Sequence, residues 1–187
     1  MTELKTLHGH GVHCMIALQP VTRESYKRYL REAGQPMPRA LAQPGSGASP
    51  VIYISQTSAR KYCDWLSVQE GRRYRLPSMA ELLLLYSEES EQDAFGPDLW
   101  PLQPDNLTGV RNRGSSGGLS HVLLCEWSNE TEEIPQPDHR PARLLGNIFY
   151  PPWLREGVSL TQAYLQASEG YSFVTFRVAA DLLPGVN

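Results

Sequence analysis

The chain has 187 residues, with 17 basic and 20 acidic side chains and a formal charge of −3. Hydrophobic residues make up 41%, enough for a full core, yet 15 Gly and 15 Pro mark a chain rich in turns and irregular backbone. No apolar run nears the ~20 residues of a membrane span, the charge leaves no footprint for nucleic acid, and three scattered cysteines make no disulfide framework.

Met1 to Lys5 lacks the charged-then-apolar order of a signal peptide. One domain over 1–187 in a reducing, cytoplasmic setting is the expectation. Residues 1–11 read as a polar lead-in containing His8 and His10. The first strand is expected at Val12 to Gln19, ended by Pro20. Thr22 then suits a helix N-cap, with Glu24 in the first turn. Tyr26, Tyr29, Leu30 and Ala33 share one helical face, and Gly34 suits the C-terminal stop.

Residues 35–50 form a Pro/Gly loop. Val51 to Ser55 reads as a short strand. A second helix opens at Thr57 or Ser58, with Ala59, Tyr62, Cys63 and Leu66 as its buried stripe and Gly71 as its stop. Ser78 and Glu81 make a capping box, in which each side chain satisfies the other's free amide, so a third helix starts there. From about residue 90 to 170 periodicity fades. Tyr171 to Ala179 reads as a closing strand, with Tyr171, Phe173 and Thr175 on one face.

Five segments together resemble the formylglycine-generating (sulfatase-modifying factor) family. Pro20-Val21-Thr22 with Tyr26 and Leu30 is similar to its "PVTN-x-x-Y-x-x-F/L" opening. Pro50 to Ser55, then Ala59 and Tyr62-Cys63-Asp64-Trp65-Leu66, resembles "PVxxVSWxxAxxYCxWL". Arg75 to Glu81 resembles "RLPTEAEWE", Gly118-Leu119 with Glu126-Trp127-Ser128 resembles "GLYDMxGNVWEWT", and Thr175 to Ala179 resembles "GFRVA". The resemblance implies an α+β fold of the C-type-lectin kind: few strands, two to three helices and much irregular backbone. It also implies that the "GxFxMG" segment preceding the first strand has no counterpart. That would leave an open sheet edge, which a partner or a second copy could complete.

Active members of the family resembling this chain hold copper on a cysteine pair before the last strand and oxidise a substrate cysteine. Soft thiolates suit that chemistry. Arg143 to Arg177 contains no cysteine, so formylglycine-generating activity is not expected. Of the three cysteines, Cys14 falls in the first expected strand, Cys63 on the buried helix face, and Cys125 just before Glu126. No cofactor is required on this reading. Calcium, which the family draws to oxygen ligands, has Asp105, Asn106, Glu126 and Asn129 as candidates. The competing reading makes these solvated loop residues around one buried, hydrogen-bonded Glu126.

His8-x-His10-x-x-His13 is the sharpest metal-like spacing. Strand alternation puts His8 and His10 on one face and His13 on the other, so joint chelation is not expected. Arg72, Arg73 and Arg75 form a basic knot near Arg60 and Lys61. It suits either a carboxylate or phosphate contact or an internal pair of one arginine with Glu81 or Glu126.

The region Pro135 to Glu169 has most freedom to carry function, and the expected contact face is residues 146–169 with help from the loop 105–118. Asn147, Phe149, Tyr150, Trp153, Arg155 and Tyr164 are the candidate ligand- or partner-binding residues, because aromatics and Arg dominate contact surfaces. The rival is that Phe149, Tyr150 and Trp153 fill a loop-rich core. The leading expectation is a non-catalytic recognition module for a protein or small ligand. A metal-dependent oxidase with a different site and a subunit of a hetero- or homo-oligomer are the alternatives.

Overall fold

The computed structural model describes residues 2–91, 124–131, 141–145 and 162–182. The order of elements is β1 (Leu4–Gly9), β2 (Val12–Ala17), α1 (Arg23–Glu32), α2 (Arg39–Ala42), α3 (Gln56–Glu70), β3 (Tyr74–Arg75) and α4 (Met79–Glu91). There follow β4 (Cys125–Thr131), β5 (Pro141–Leu145), β6 (Gln162–Gln166), β7 (Val174–Thr175) and β8 (Ala179–Asp181). The fold is α+β, with two four-stranded sheets in the orders β1-β2-β8-β3 and β6-β5-β4-β7.

The N-terminal residues depart from the expected lead-in. β1 pairs antiparallel with β2 from Leu4↔Ala17 to Gly9↔Val12. The turn between them is His10-Gly11, with φ of 49° and 79°. Positive φ at both central residues matches the twist of the flanking strands, which is why such two-residue turns close hairpins. β1 therefore supplies the edge strand that the sequence reading left missing, and Cys14 lies on the second strand.

α1 starts where its sequence says it should. The Thr22 hydroxyl accepts from the Ser25 amide at 3.2 Å. The two preceding amides are satisfied by the loop 35–50: Arg23 N donates to Ser49 O at 2.8 Å and Glu24 N to Gly47 O at 2.9 Å. A helix start leaves such donors orphaned unless something accepts from them. The loop is further anchored by Leu41, which is buried, and by Arg23, whose Nη2 donates to Gln43 O at 2.8 Å.

α3 buries Ala59, Tyr62, Cys63 and Leu66, and ends at Gly71 with φ 63°. Its cap is Ser55, whose side chain accepts from Ser58 N at 3.1 Å. Residues 51–55 are not a strand: Tyr53 takes φ 62°, and its amide donates to Tyr171 O at 3.0 Å. Its carbonyl oxygen lies where a Cβ on Gly170 would sit, 2.1 Å away, so only glycine fits there.

The main core joins α1, α3 and both sheets. Tyr26 stacks on Tyr62 at 5.6 Å, and Phe176 meets the Tyr62 ring edge-on at 5.6 Å. A second cluster packs α4, through Met79, Leu82 and Leu85, on Leu7, Cys14 and Ile16 of the first hairpin. The closing strand is split. Val174–Thr175 runs parallel to β4, and Ala179–Asp181 inserts between β2 and β3. Residues 176–178 carry the chain from one sheet to the other. On the way Val178 O accepts from Ala17 N and Phe176 O from Val21 N, both at 2.9 Å.

Candidate functional site

Part of the expected contact face lies on the second sheet. On β5, Ala142 and Leu144 are fully buried while Arg143 between them points outward. Its register partner on β6 is Tyr164, 41% exposed. The Arg143 guanidinium sits 5.9 Å from the Tyr164 ring centroid, within reach of a cation–π contact. Arg143 Nη1 also donates to Glu130 Oε2 at 2.7 Å, and Glu130 Oε1 accepts from the Met79 amide at 2.9 Å. Tyr164, Arg143 and Glu130 thus form a linked strip across β6, β5 and β4. Asn147, Phe149, Tyr150, Trp153 and Arg155 lie outside the described residues, as do the loop 105–118, His121 and His139.

The residues that resemble family motifs serve a different purpose. Arg177 and Glu126 are each 1% exposed and form a two-pronged ion pair. Arg177 Nε donates to Glu126 Oε2 at 2.6 Å, and Nη2 to Oε1 at 2.7 Å. Arg177 Nη1 donates to the carbonyls of Ala17 and Leu18, each at 3.1 Å. One side chain therefore ties β4 of the second sheet to the end of β2 in the first. Glu126, expected among the calcium ligands, has both oxygens committed to this guanidinium.

Asn129 is held through its backbone: its amide donates to Pro77 O at 2.8 Å, and its carbonyl accepts from Arg60 Nη2. Asp105 and Asn106 lie outside the described residues. Among the described residues no group of three or more His, Cys, Asp or Glu could hold a metal ion. The two described candidates, Glu126 and Asn129, are thus tied into the fold by these contacts and do not by themselves make a calcium site.

The cysteines do not fit a copper–thiolate site either. All three are buried free thiols. Burial first, and then the neighbouring Glu81 carboxylate, pushes the Cys14 thiol up to about 12. Burial first, and then Asp64, pushes Cys63 up to about 12 as well. Cys125 is fully buried on β4. Thiolates are the metal-binding and nucleophilic form, and the Cys14 and Cys63 sites disfavour them.

The basic knot resolves in part into an internal pair. Arg75 Nη1 and Nη2 donate to the two Glu81 oxygens, each at 2.7 Å, and Nε donates to Asp181 Oδ1 at 2.9 Å. Burial alone would raise the Glu81 carboxyl, but the Arg75 guanidinium and the Ser78 amide outweigh it and hold it below its ordinary value. Arg72 reaches the Met15 sulfur at 3.1 Å. Arg60, Arg73, Arg75, Asp64 and Asn129 line a cavity of about 390 Å³. A smaller one, about 180 Å³, is lined by Thr22, Ser25, Arg28, Trp65 and Glu70.

Two positioning residues were not singled out from sequence. Gln56, 1% exposed, donates through Nε2 to Ser128 O at 2.8 Å and Glu130 O at 3.0 Å, so it aligns α3 with β4. It occupies the place of the tryptophan in the "VSW" motif, and that departure was the available signal. Arg23, 4% exposed, gave no signal, because an arginine in a first helical turn reads as solvated.

Residues 12–86 match the family described as "Sulfatase-modifying factor enzyme 1-like domain". That span runs from β2 to α4 and stops before the second sheet. Among solved structures, PvdO from Pseudomonas aeruginosa is 17% identical with a TM-score of 0.56, over 91% of this chain and 81% of that one. The structure of CarF is 14% identical with a TM-score of 0.60, over 94% of this chain and 89% of that one. At such identities these two share the fold. A search of curated proteins finds no match.

Proposed function

We propose that this chain belongs to the sulfatase-modifying factor family, whose model its residues 12–86 match, and is a non-catalytic recognition module binding a protein or small ligand through its C-terminal loop face. The observation that supports this reading is the placement of the cysteines. All three are core thiols, and the two whose shifts are resolved are pushed up to about 12, away from any thiolate role. The Tyr164–Arg143–Glu130 strip supplies an aromatic ring, a guanidinium and a carboxylate at one end of the face. Asn147, Phe149, Tyr150, Trp153 and Arg155 are the other contact residues assigned to it, from their residue types alone. No cofactor is needed for this role. The setting is cytoplasmic, and the partner is a protein or small molecule rather than nucleic acid. No helix among the described residues is long and apolar enough to cross a membrane.

Two experiments test the reading. Anaerobic Cu(I) titration against a competing chelator should reveal no tight site, and oxygen uptake with a cysteine-containing peptide should stay at background. Tight copper binding with thiol-dependent oxygen uptake would overturn it. Affinity capture with Tyr150→Ala and Trp153→Ala should lose a partner that the wild type retains, with circular dichroism unchanged. If the two variants unfold instead, those rings belong to the core and the face is misassigned.

A further inference from the structure

The tip of the first hairpin carries two imidazoles that the fold itself brings together. The His10-Gly11 turn sets the register in which His8 and His13 are direct cross-strand partners. Their neighbours Leu7 and Cys14 are also partners and are fully buried on the opposite face. A one-residue slip would expose Leu7 and Cys14, so the core holds the histidine pair pointing outward. Both histidines are exposed, and their ring centroids are 4.2 Å apart at an interplanar angle of 50°.

The spacing suits shared coordination. Two imidazoles bound side by side to one ion, with metal–nitrogen distances near 2.0–2.1 Å, place their ring centroids about 4.5–5 Å apart. Small side-chain rotations cover that difference, with no change in the strands. Imidazole is a ligand for zinc, nickel and copper(II) rather than for calcium or magnesium. We propose that His8 and His13 form a two-histidine site for a divalent first-row transition metal, with water in the remaining positions. His10 sits in the turn and takes no part. This site is independent of the C-terminal face and of the family's copper chemistry.

The test is calorimetric titration of the untagged full chain with zinc and with nickel. The wild type should bind one equivalent. His8→Gln and His13→Gln should each weaken binding by about tenfold or more, and His10→Gln should leave it unchanged. In parallel, trace copper(II) should broaden the ring-proton NMR signals of His8 and His13 in the folded wild type before any other histidine signal. That readout stands even if a variant folds poorly. Wild-type affinity in the His8→Gln/His13→Gln double variant would overturn the site. So would an equal loss in His10→Gln, or first broadening at His121 or His139.

Discussion

Arg177 and Arg75 each grip a glutamate with two nitrogens, and each ties together elements far apart in sequence, but their surroundings differ. The Arg177–Glu126 pair is sealed, with both side chains 1% exposed. The Arg75 site is open on one side: Arg75 is 27% exposed, Glu81 8% and Asp181 51%. Removing two charges from water costs several kcal/mol per ion, so the sealed pair holds only while every hydrogen bond is made. The open site is bathed by solvent and salt, and its outer carboxylate adds little. The sealed pair joins the two sheets, whereas the open one fixes the start of α4 against the edge of one sheet. Similar guanidinium–carboxylate geometry thus acts as a structural lock in one place and as an adjustable cap in the other.

The contrast is easiest to break at its sealed end. Arg177→Met should lose about 3–5 kcal/mol in urea unfolding, because Glu126 is left buried without its cation. The double variant Glu126→Leu/Arg177→Met should recover most of that loss. If it does not, the hydrogen bonds of Arg177 matter through their geometry rather than through charge balance.

Glu81→Gln comes next, with about 1.5–3 kcal/mol lost near neutrality. The Glu81 carboxyl is held below its ordinary 4.5 in the folded chain. Its contribution is therefore full above that value and disappears as pH falls through the depressed folded one. Urea midpoints measured from pH 7 down to pH 3 should converge for wild type and variant. A constant gap across that range would show that the side chain acts by packing alone.

Asp181→Asn should cost least, below about 1 kcal/mol, and the effect should shrink at high salt. A loss as large as that of Arg177→Met would erase the distinction between the two sites.

What sequence reading recovered was local. Thr22, Gly34, Gly71 and the Ser78/Glu81 box act through bonds within a few residues, and the structure shows each at its expected task. What it missed was set from a distance. Val51 to Ser55 has strand composition, yet Tyr53 adopts positive φ because Gly170 and Tyr171 press on it from the far end of the chain. The closing strand looked continuous because nothing in Phe176-Arg177-Val178 says that the chain changes sheets there. The first hairpin was missed through its turn: Gly9-His10-Gly11 carried the signal, but the polar flanks hid it. Reading His8 and His13 on a single extended strand set them on opposite faces, and the turn reverses that outcome. Of the expected contact face only Tyr164 falls within the described residues, so its neighbours rest on composition alone.

The position of β8 bears on how the protein is made. Its three residues, Ala179 to Asp181, lie between β2 and β3, both synthesised more than a hundred residues earlier. While β8 is unmade, β2 and β3 have no strand between them. That gap leaves backbone donors and acceptors unpaired until residues 179–181 have been made. Contacts of such separation slow folding and lengthen the time in which unpaired edges can meet other chains. A nascent chain stalled before residue 179 should therefore depend on chaperone shelter in a way the finished protein does not.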